Sequence, residues 1–239
     1  MSNELTTVDF HQLPTTQIGD DNAFEEISKG SQEFLPRLQL YTKGSAIDQG
    51  LITPGHWGIP DNDDVTDLGP SVDILPLARR PKAIDLSDTE AIVTNYDVGS
   101  ETFQEIMERS LESNSGCMYG PSFLVWERSS GQFLEFFCGS KSTRSEAKKI
   151  YPALPVTEAD IKARGLSDVE PHGPIPITMR SKLVKKKAFS WHVPVIGKCS
   201  TPLDGLPSND VIIREIQRFV NPSEDNIEKV TETVNRRAR

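Results

Sequence analysis

Cysteine is scarce in this chain, and long hydrophobic runs are absent from it. Only three of its 239 residues are cysteines, they stand far apart, and none has a histidine at ligand spacing beside it. This pattern disfavours a disulfide framework and a zinc site, and it predicts that Cys117, Cys138 and Cys199 are buried thiols in a reducing compartment. No stretch of about 18 apolar residues occurs, so we expect no transmembrane helix. No basic segment followed by an apolar one opens the chain, which predicts a cytoplasmic protein.

Sequence motifs that carry catalysis or hold phosphate are also missing. The chain contains no GxSxG elbow, no GxGxxG loop and no GxxxxGK[ST] loop. The four histidines fall in an arm, a turn, a loop and a strand: His11, His56, His172 and His192. Asp61, Asp63 and Asp64 resemble part of a calcium loop, but the glycine and the distant glutamate of that motif are lacking, which favours a solvated acidic turn. We therefore predict a protein without catalytic residues, metal or cofactor, and an enzyme with an unfamiliar site ranks last.

Charge is distributed unevenly along the chain, although its sum is ordinary. Lysine and arginine number 26 against 35 aspartates and glutamates, which gives a net charge of −9. Residues 1–100 carry 17 acidic and 6 basic side chains, whereas residues 141–198 carry 12 basic and 5 acidic ones. This reversal indicates either a surface that faces a polyanion or a Lys-rich solvated face. The overall acidity does not exclude nucleic acid, because binding depends on the local field.

The pattern of elements predicts an α+β fold with mostly antiparallel strands. Residues 1–33 are interpreted as a flexible acidic arm, residues 34–200 as a β-rich core domain, and residues 201–239 as a C-terminal helical segment with a basic tail. About seven to nine short strands with two or three helices fit an OB-like small barrel with inserted and C-terminal helices. A sandwich with a peripheral helix is the alternative.

Several individual elements are predicted from local patterns. Turn residues at 129–131 separate two apolar runs and indicate a hairpin, and helical spacing after Ser100 indicates a helix. A Pro-Gly turn at residues 54–55 predicts a second hairpin, with the acidic residues after 60 as its exit loop. The remaining predictions are strands at 37–42, 71–77 and 83–86 with a basic turn at 78–82, a helix with a capping box at 143–146, strands at 177–184 and 188–196 around a basic turn, and a helix at 210–220.

Basic residues interleaved with aromatic ones form the strongest functional signal. Single-stranded nucleic acid is bound by rings that stack on bases and by cations that follow the phosphates. The alternation at residues 189–195 is also typical of a core face, and it favours burial of Trp191. Stacking on bases would instead require exposed rings, so the sequence leaves open whether Trp191 and Phe189 are buried or exposed. The candidate nucleic-acid-binding residues are Tyr41, Trp57, Arg79, Arg80, Lys82, Lys141, Arg144, Arg180, Lys182, Lys185, Lys186, Lys187, Phe189 and Trp191.

The order of these segments resembles that of phage proteins of the replication and recombination module. The resemblance rests on residues 34–45, 51–55 and 72–77, on the hairpin at 121–137 and on a strand that ends Ser190-Trp-His-Val-Pro194. Those phage proteins are regarded as OB-fold proteins that bind single-stranded DNA. The resemblance therefore implies sequence-independent binding of single-stranded DNA in a host cytoplasm, with replication or recombination proteins as further partners.

The C-terminus departs from that family. Phage single-strand binders often end in an acidic tail that recruits partners, whereas this chain ends Arg236-Arg237-Ala238-Arg239. The acidic role is either absent here or moved to the N-terminal arm, which carries Asp20, Asp21, Glu25 and Glu26. A virion structural or assembly protein that binds no nucleic acid is the competing hypothesis. Oligomeric state and the preference between DNA and RNA stay open.

Overall fold

The computed structural model describes residues 35–61, 64–88, 92–112, 114–165, 168–186, 189–200 and 205–221, with the backbone alone at Phe189. The predicted arm at 1–33 and the basic C-terminus lie outside these residues, as does Lys187. The strands are β1 Gln39–Leu40, β2 Trp57–Asp61, β3 Asp64–Gly69, β4 Ser71–Asp85, β5 Val93–Asn95, β6 Cys117–Glu127, β7 Gln132–Phe137, β8 Ile177–Lys186 and β9 Phe189–Lys198. The helices are α1 Ser45–Asp48, α2 Glu101–Arg109, α3 Lys141–Ala147, α4 Glu158–Arg164 and α5 Asn209–Val220, with a 3₁₀ turn at Tyr151–Ala153.

The strands form two antiparallel sheets. One sheet has three strands in the order β1-β2-β3, and the other has six, in the order β7-β6-β4-β8-β9 with β5 also paired to β4. The predicted α+β class with mostly antiparallel strands is therefore confirmed. No barrel closes among the described strands, so the OB-like barrel is not observed. No helix in the described ranges is long and apolar enough to cross a membrane.

A single strand of 15 residues replaces two predicted strands and the basic turn between them. β4 pairs with β6 from Ile74 to Asp85, with a register shift at Pro76–Ala78. The Arg-Arg-Pro-Lys sequence is typical of a turn, but here Arg80 and Lys82 alternate with Arg79 and Pro81 across the two faces of the strand, as extended backbone requires. The prediction of a turn at 78–82 was wrong because a buried carboxylate, described below, neutralises the two inward cations.

The prediction of a hairpin around the Pro-Gly turn at residues 54–55 was also wrong. The Pro-Gly turn leads into β2 rather than joining two strands, and the hairpin forms between β2 and β3, where Asp61 pairs with Asp64. Asp61 and Asp64 thus belong to the two strands of this hairpin and not to an exit loop, and Asp63 lies outside the described residues. Helix α3 begins earlier than expected as well, because Ser140 and Thr143 form the capping box and not the pair at 143–146.

Other predictions are confirmed. β6 and β7 form a hairpin that pairs from Ser122↔Phe137 to Glu127↔Gln132. Helix α2 starts at the predicted cap, where the Ser100 side chain accepts a hydrogen bond from the backbone N–H of Phe103. Helix α5 is present and buries Ile212, Ile216 and Phe219.

The core lies on both faces of the large sheet. On one face, the small sheet and α3 cover a cluster that includes Trp57, Phe123 and Met179. On the other face, α5 packs on Leu124 and Trp126. This arrangement leaves one face of the outer part of the β8–β9 hairpin uncovered, and it leaves β4 without a strand partner on one edge between its β8 and β5 partners, among the described residues.

Candidate nucleic-acid interface

The outer half of the β8–β9 hairpin is a two-stranded ribbon that extends beyond the sheet. The pairing of β8 with β4 ends where Arg180 lies opposite Ser71. The pairing of β8 with β9 continues six residues further, to Lys186 opposite Phe189. We call residues 180–186 and 189–195 the ribbon. Beyond Arg180 its strands are paired only with each other among the described residues, so most of their side chains face solvent.

Cations and apolar groups share one face of the ribbon. Alternation along a strand places residues 180, 182, 184 and 186 of β8 on the same face. Their directly opposed partners on β9 are residues 195, 193, 191 and 189 in that order. The Trp191 ring, 37% exposed, therefore lies opposite Val184 and is flanked diagonally by Lys182 and Lys186. The predicted combination of basic residues and an exposed ring is present here.

The charged side chains of the ribbon are all positive. Arg180, Lys182, Lys185 and Lys186 are exposed, and none of them forms an ion pair with a described residue. The sequence from residue 171 to residue 203 contains no aspartate or glutamate, although it carries six lysines and arginines. The ribbon therefore carries a local excess of positive charge, which attracts an anion such as a phosphate backbone.

Burial of Trp191 was the sequence preference, and it was wrong. The two-residue alternation at 189–195 does define one face, as a core strand would. That face remains open because no described element covers it, whereas Gly55 packs against Ser181 and His192 on the other face of the ribbon. The side chain of Phe189 and the whole of Lys187 lie outside the described residues.

Two other predicted cations, Arg80 and Lys82, bind groups in the interior of the protein. Lys82 is buried and its Nζ donates to Oε2 of Glu135 at 2.7 Å. Arg80 donates to Oε1 of Glu135 at 3.1 Å and to the carbonyl oxygen of Phe219 at 2.7 Å, at the end of α5. Its guanidinium also lies between the rings of Tyr96 and Phe219, 3.8 and 4.2 Å from their centroids. We call Arg80, Lys82 and Glu135 the buried triad.

The buried triad changes the pKa values of its members. Burial alone would raise the pKa of Glu135, but the charges of Lys82 and Arg80 and hydrogen bonds from Lys82 and Ser122 outweigh it and lower that pKa to about 2. Burial lowers the pKa of Lys82, and Glu135 opposes that effect. An anion that approached from solvent would have to displace an internal carboxylate, so the proposed interface does not include Arg80 and Lys82.

Three more predicted contacts are occupied by the fold. Trp57 is fully buried and meets the ring of Phe136 edge-on, and Tyr41 is 7% exposed. Neither ring has a free face on which a base could stack. Arg144 donates to the carbonyl oxygens of Tyr119 and Gly139, both at 2.7 Å, and therefore holds the start of α3 against β6. The proposed interface therefore does not include these three residues, because the local sequence does not reveal what packs against each of them.

Two predicted cations outside the ribbon are exposed. Lys141 is the first residue of α3. Arg79 points away from the buried triad, and its guanidinium lies over the Tyr151 ring, 4.8 Å from its centroid. Sequence reasoning did not find Tyr151 or Arg164, which line a groove together with Arg79. No local pattern could have found them, because residues 72 and 85 positions apart meet only in the folded chain.

Comparisons with known proteins return no relatives. No family model matches the chain, and neither a curated protein nor a solved structure matches it. Among the described residues, no group of three His, Cys, Asp or Glu side chains is placed to hold a metal ion.

Proposed function

We propose that this chain is a non-enzymatic protein that binds single-stranded DNA without sequence preference, as part of a replication or recombination system in the cytoplasm. The observation that carries the proposal is the ribbon, where an exposed tryptophan lies among cations that form no ion pair with a described residue, in a segment without acidic residues. Rings of this kind stack on any base, and cations of this kind contact any phosphate, so such a surface needs no particular sequence. The phosphate contacts supply affinity and the rings favour unpaired over paired bases.

The OB-like fold is also part of the proposal. β4 is long, shifts register at Pro76–Ala78, and pairs with β6 on one edge and with β8 and β5 on the other. Register shifts of this kind bend strands and occur at the rims of small barrels. The proposed binding does not depend on barrel closure, because the ribbon carries the contacts. We propose replication or recombination proteins as further partners because the resemblance that implies single-stranded DNA also implies them.

Tryptophan fluorescence tests the proposed role of Trp191. The chain has three tryptophans, and Trp57 and Trp126 are 0% and 2% exposed, so DNA that stacks on a tryptophan can quench only Trp191. We expect a thirty-residue oligothymidylate to quench the unaltered chain and to leave the emission of Trp191→Phe unchanged. Because stacking contributes about 1–3 kcal/mol per base, Trp191→Ala should weaken binding about 5- to 150-fold.

The phenylalanine variant is the matched control for this measurement. It keeps a ring at position 191, so its affinity by fluorescence anisotropy should stay within about threefold of the unaltered chain. Quenching that persists in Trp191→Phe, or an unchanged affinity in Trp191→Ala, would remove Trp191 from the interface.

A further inference from the structure

A groove of about 870 Å³ lies on the molecule away from the ribbon. The consecutive residues Leu77–Pro81 form part of its wall, and this part of β4 has no strand partner on that edge among the described residues. Residues of β6, α2, α4 and α5, of the 3₁₀ turn and of the segment that follows it form the remaining walls. The groove therefore lies where β6 is the strand partner of β4 among the described residues.

Aromatic rings and guanidinium groups line this groove together. The rings of Phe103, Tyr119 and Tyr151 contribute to its walls. Phe103 is buried and the Arg144 guanidinium lies over Tyr119, so Tyr151, which is 37% exposed, is the ring available to a ligand. The guanidinium of Arg79 lies over Tyr151, and it has no carboxylate within ion-pair distance among the described residues. Flat rings beside an unneutralised arginine suit a ligand that is both aromatic and anionic.

The acidic residue that lines the groove, Asp160, does not neutralise Arg79. Asp160 is the only lining carboxylate among the described residues. Its Oδ2 accepts hydrogen bonds from the backbone N–H and the hydroxyl of Thr157, at 3.1 and 2.7 Å, and it thereby caps α4. Arg164 lies 3.5 Å from the other oxygen of Asp160. Asp160 and Arg164 therefore balance each other in charge. The groove is also lined by Arg79 and Arg80, and Arg80 belongs to the buried triad. Arg79 is therefore the cation available to a ligand.

A peptide strand is a poorer occupant of the groove. Strand addition requires backbone N–H and C=O groups along an open edge. The unpaired part of β4 contains Pro76 and Pro81, which have no N–H to donate. A partner strand would also leave the Arg79 guanidinium without an anionic partner. Charge and ring content both favour a nucleotide over a peptide.

We infer that this groove takes unstacked bases of the same single strand that binds the ribbon, with a phosphate beside Arg79. The inference rests on the proposed function and adds a second contact region to it. Arg180 is paired with Ser71, and Arg79 follows Ser71 by eight residues along the same strand. At about 3.3 Å per residue the two regions are about 26 Å apart along β4. The register shift at Pro76–Ala78 places Arg79 on the face of the sheet opposite to Arg180, so a single strand has to pass around the edge of the sheet to reach both regions. At about 3.4 Å per nucleotide, a thirty-residue strand is long enough for this path.

Photo-crosslinking combined with affinity measurement tests this inference on the full chain. A thirty-residue oligothymidylate that contains 5-iododeoxyuridine should crosslink to the peptide that carries Tyr151, as identified by mass spectrometry. Tyr151→Leu and Arg79→Gln should each weaken anisotropy-detected binding of unmodified oligothymidylate about 5-fold or more, because each removes a stacking or phosphate contact. Tyr151→Phe, which keeps the ring, and Lys148→Gln, a charge change on an exposed side chain elsewhere, should bind like the unaltered chain.

The outcomes separate this inference from the proposed function. If the unaltered chain binds the oligonucleotide and both groove variants bind equally well, the groove is not a base site and the ribbon proposal stands. If millimolar thymidine monophosphate abolishes the Tyr151 crosslink without displacing the oligonucleotide, the groove holds a free nucleotide and the inference is overturned. If the unaltered chain binds no oligonucleotide, the proposed function fails and the inference fails with it.

Discussion

Replacing Glu135 by glutamine will lower the free energy of unfolding by about 3–5 kcal/mol, because the change leaves two buried cations without a counter-charge. Glu135 is 6% exposed and accepts hydrogen bonds from Lys82, Arg80 and Ser122 at 2.7, 3.1 and 2.7 Å. Glutamine keeps the shape of the side chain but carries no charge. Urea unfolding followed by tryptophan fluorescence measures the loss, since Trp57 and Trp126 report the core on both faces of the sheet.

Glu127 provides a matched control for this prediction. Its carboxylate is 1% exposed and accepts hydrogen bonds from Ser129 and Ser130 in the adjacent hairpin loop, and no described cation forms an ion pair with it. Glu127→Gln should therefore cost only about 1–2 kcal/mol. Adding Lys82→Met to Glu135→Gln should recover part of the loss, because it removes one of the stranded charges. A Glu135→Gln variant as stable as Glu127→Gln would show that the buried triad is not what holds Arg80 and Lys82 inside.

Neutralising two ribbon lysines should weaken binding of single-stranded DNA about 25-fold at 0.1 M salt. Each phosphate contact contributes about 0.7 to the slope of log affinity against log salt for single strands, which corresponds to about fivefold per contact at 0.1 M. Lys182 and Lys186 share the face that carries Trp191, so Lys182→Gln/Lys186→Gln removes two such contacts. The salt slope should become shallower by about 1.4.

Stability should not change in that double variant, because both side chains are exposed and form no ion pair with a described residue. Lys43→Gln/Lys148→Gln carries the same change of net charge on exposed residues outside the ribbon and should keep both the affinity and the slope within experimental error. Equal losses in the two double variants would mean that only the net charge of the protein matters, and the ribbon would lose its special role.

Local patterns were sufficient for much of the fold. The β6–β7 hairpin, α2 with its Ser100 cap, and the β8–β9 hairpin all follow from residues that lie next to one another in the sequence. Each depends on short-range chemistry, namely turn residues, a cap and apolar periodicity. The sequence therefore indicated the α+β class and most of the strand pairs formed by neighbouring segments.

Long-range packing decided what the sequence could not. The stretch at 78–82 is a strand because Glu135, more than fifty residues away, neutralises Lys82 and Arg80. Trp57 follows a Pro-Gly turn, yet it is buried because β7 supplies Phe136 against its ring. Trp191 alternates like a core residue, yet it is exposed because no described element covers its face of the ribbon. In each case the deciding partner belongs to a distant segment, so no local pattern contained it.

The candidate site shows the same division. The sequence indicated the cluster at 180–191 as the basic and aromatic segment, and the structure places its described cations on an exposed ribbon. The second basic segment was assigned to the same surface, but only Arg79 of its three cations points outward to a groove. A count of charges locates a basic segment, and pairing and burial then determine which of its charges can meet a ligand.

Salt-dependent binding of a thirty-residue oligothymidylate is the measurement that tests the central claim most directly. The unaltered chain should bind this single strand with a log affinity that falls linearly with log salt, with a slope of about −3 for four ribbon cations, and it should bind a duplex of equal length much more weakly. Anisotropy at four salt concentrations between 0.05 and 0.4 M, chosen as roughly one decade, measures the slope. Absence of binding at the lowest salt, or binding that ignores salt, would contradict the account and favour an assembly protein whose exposed lysines are only solvated.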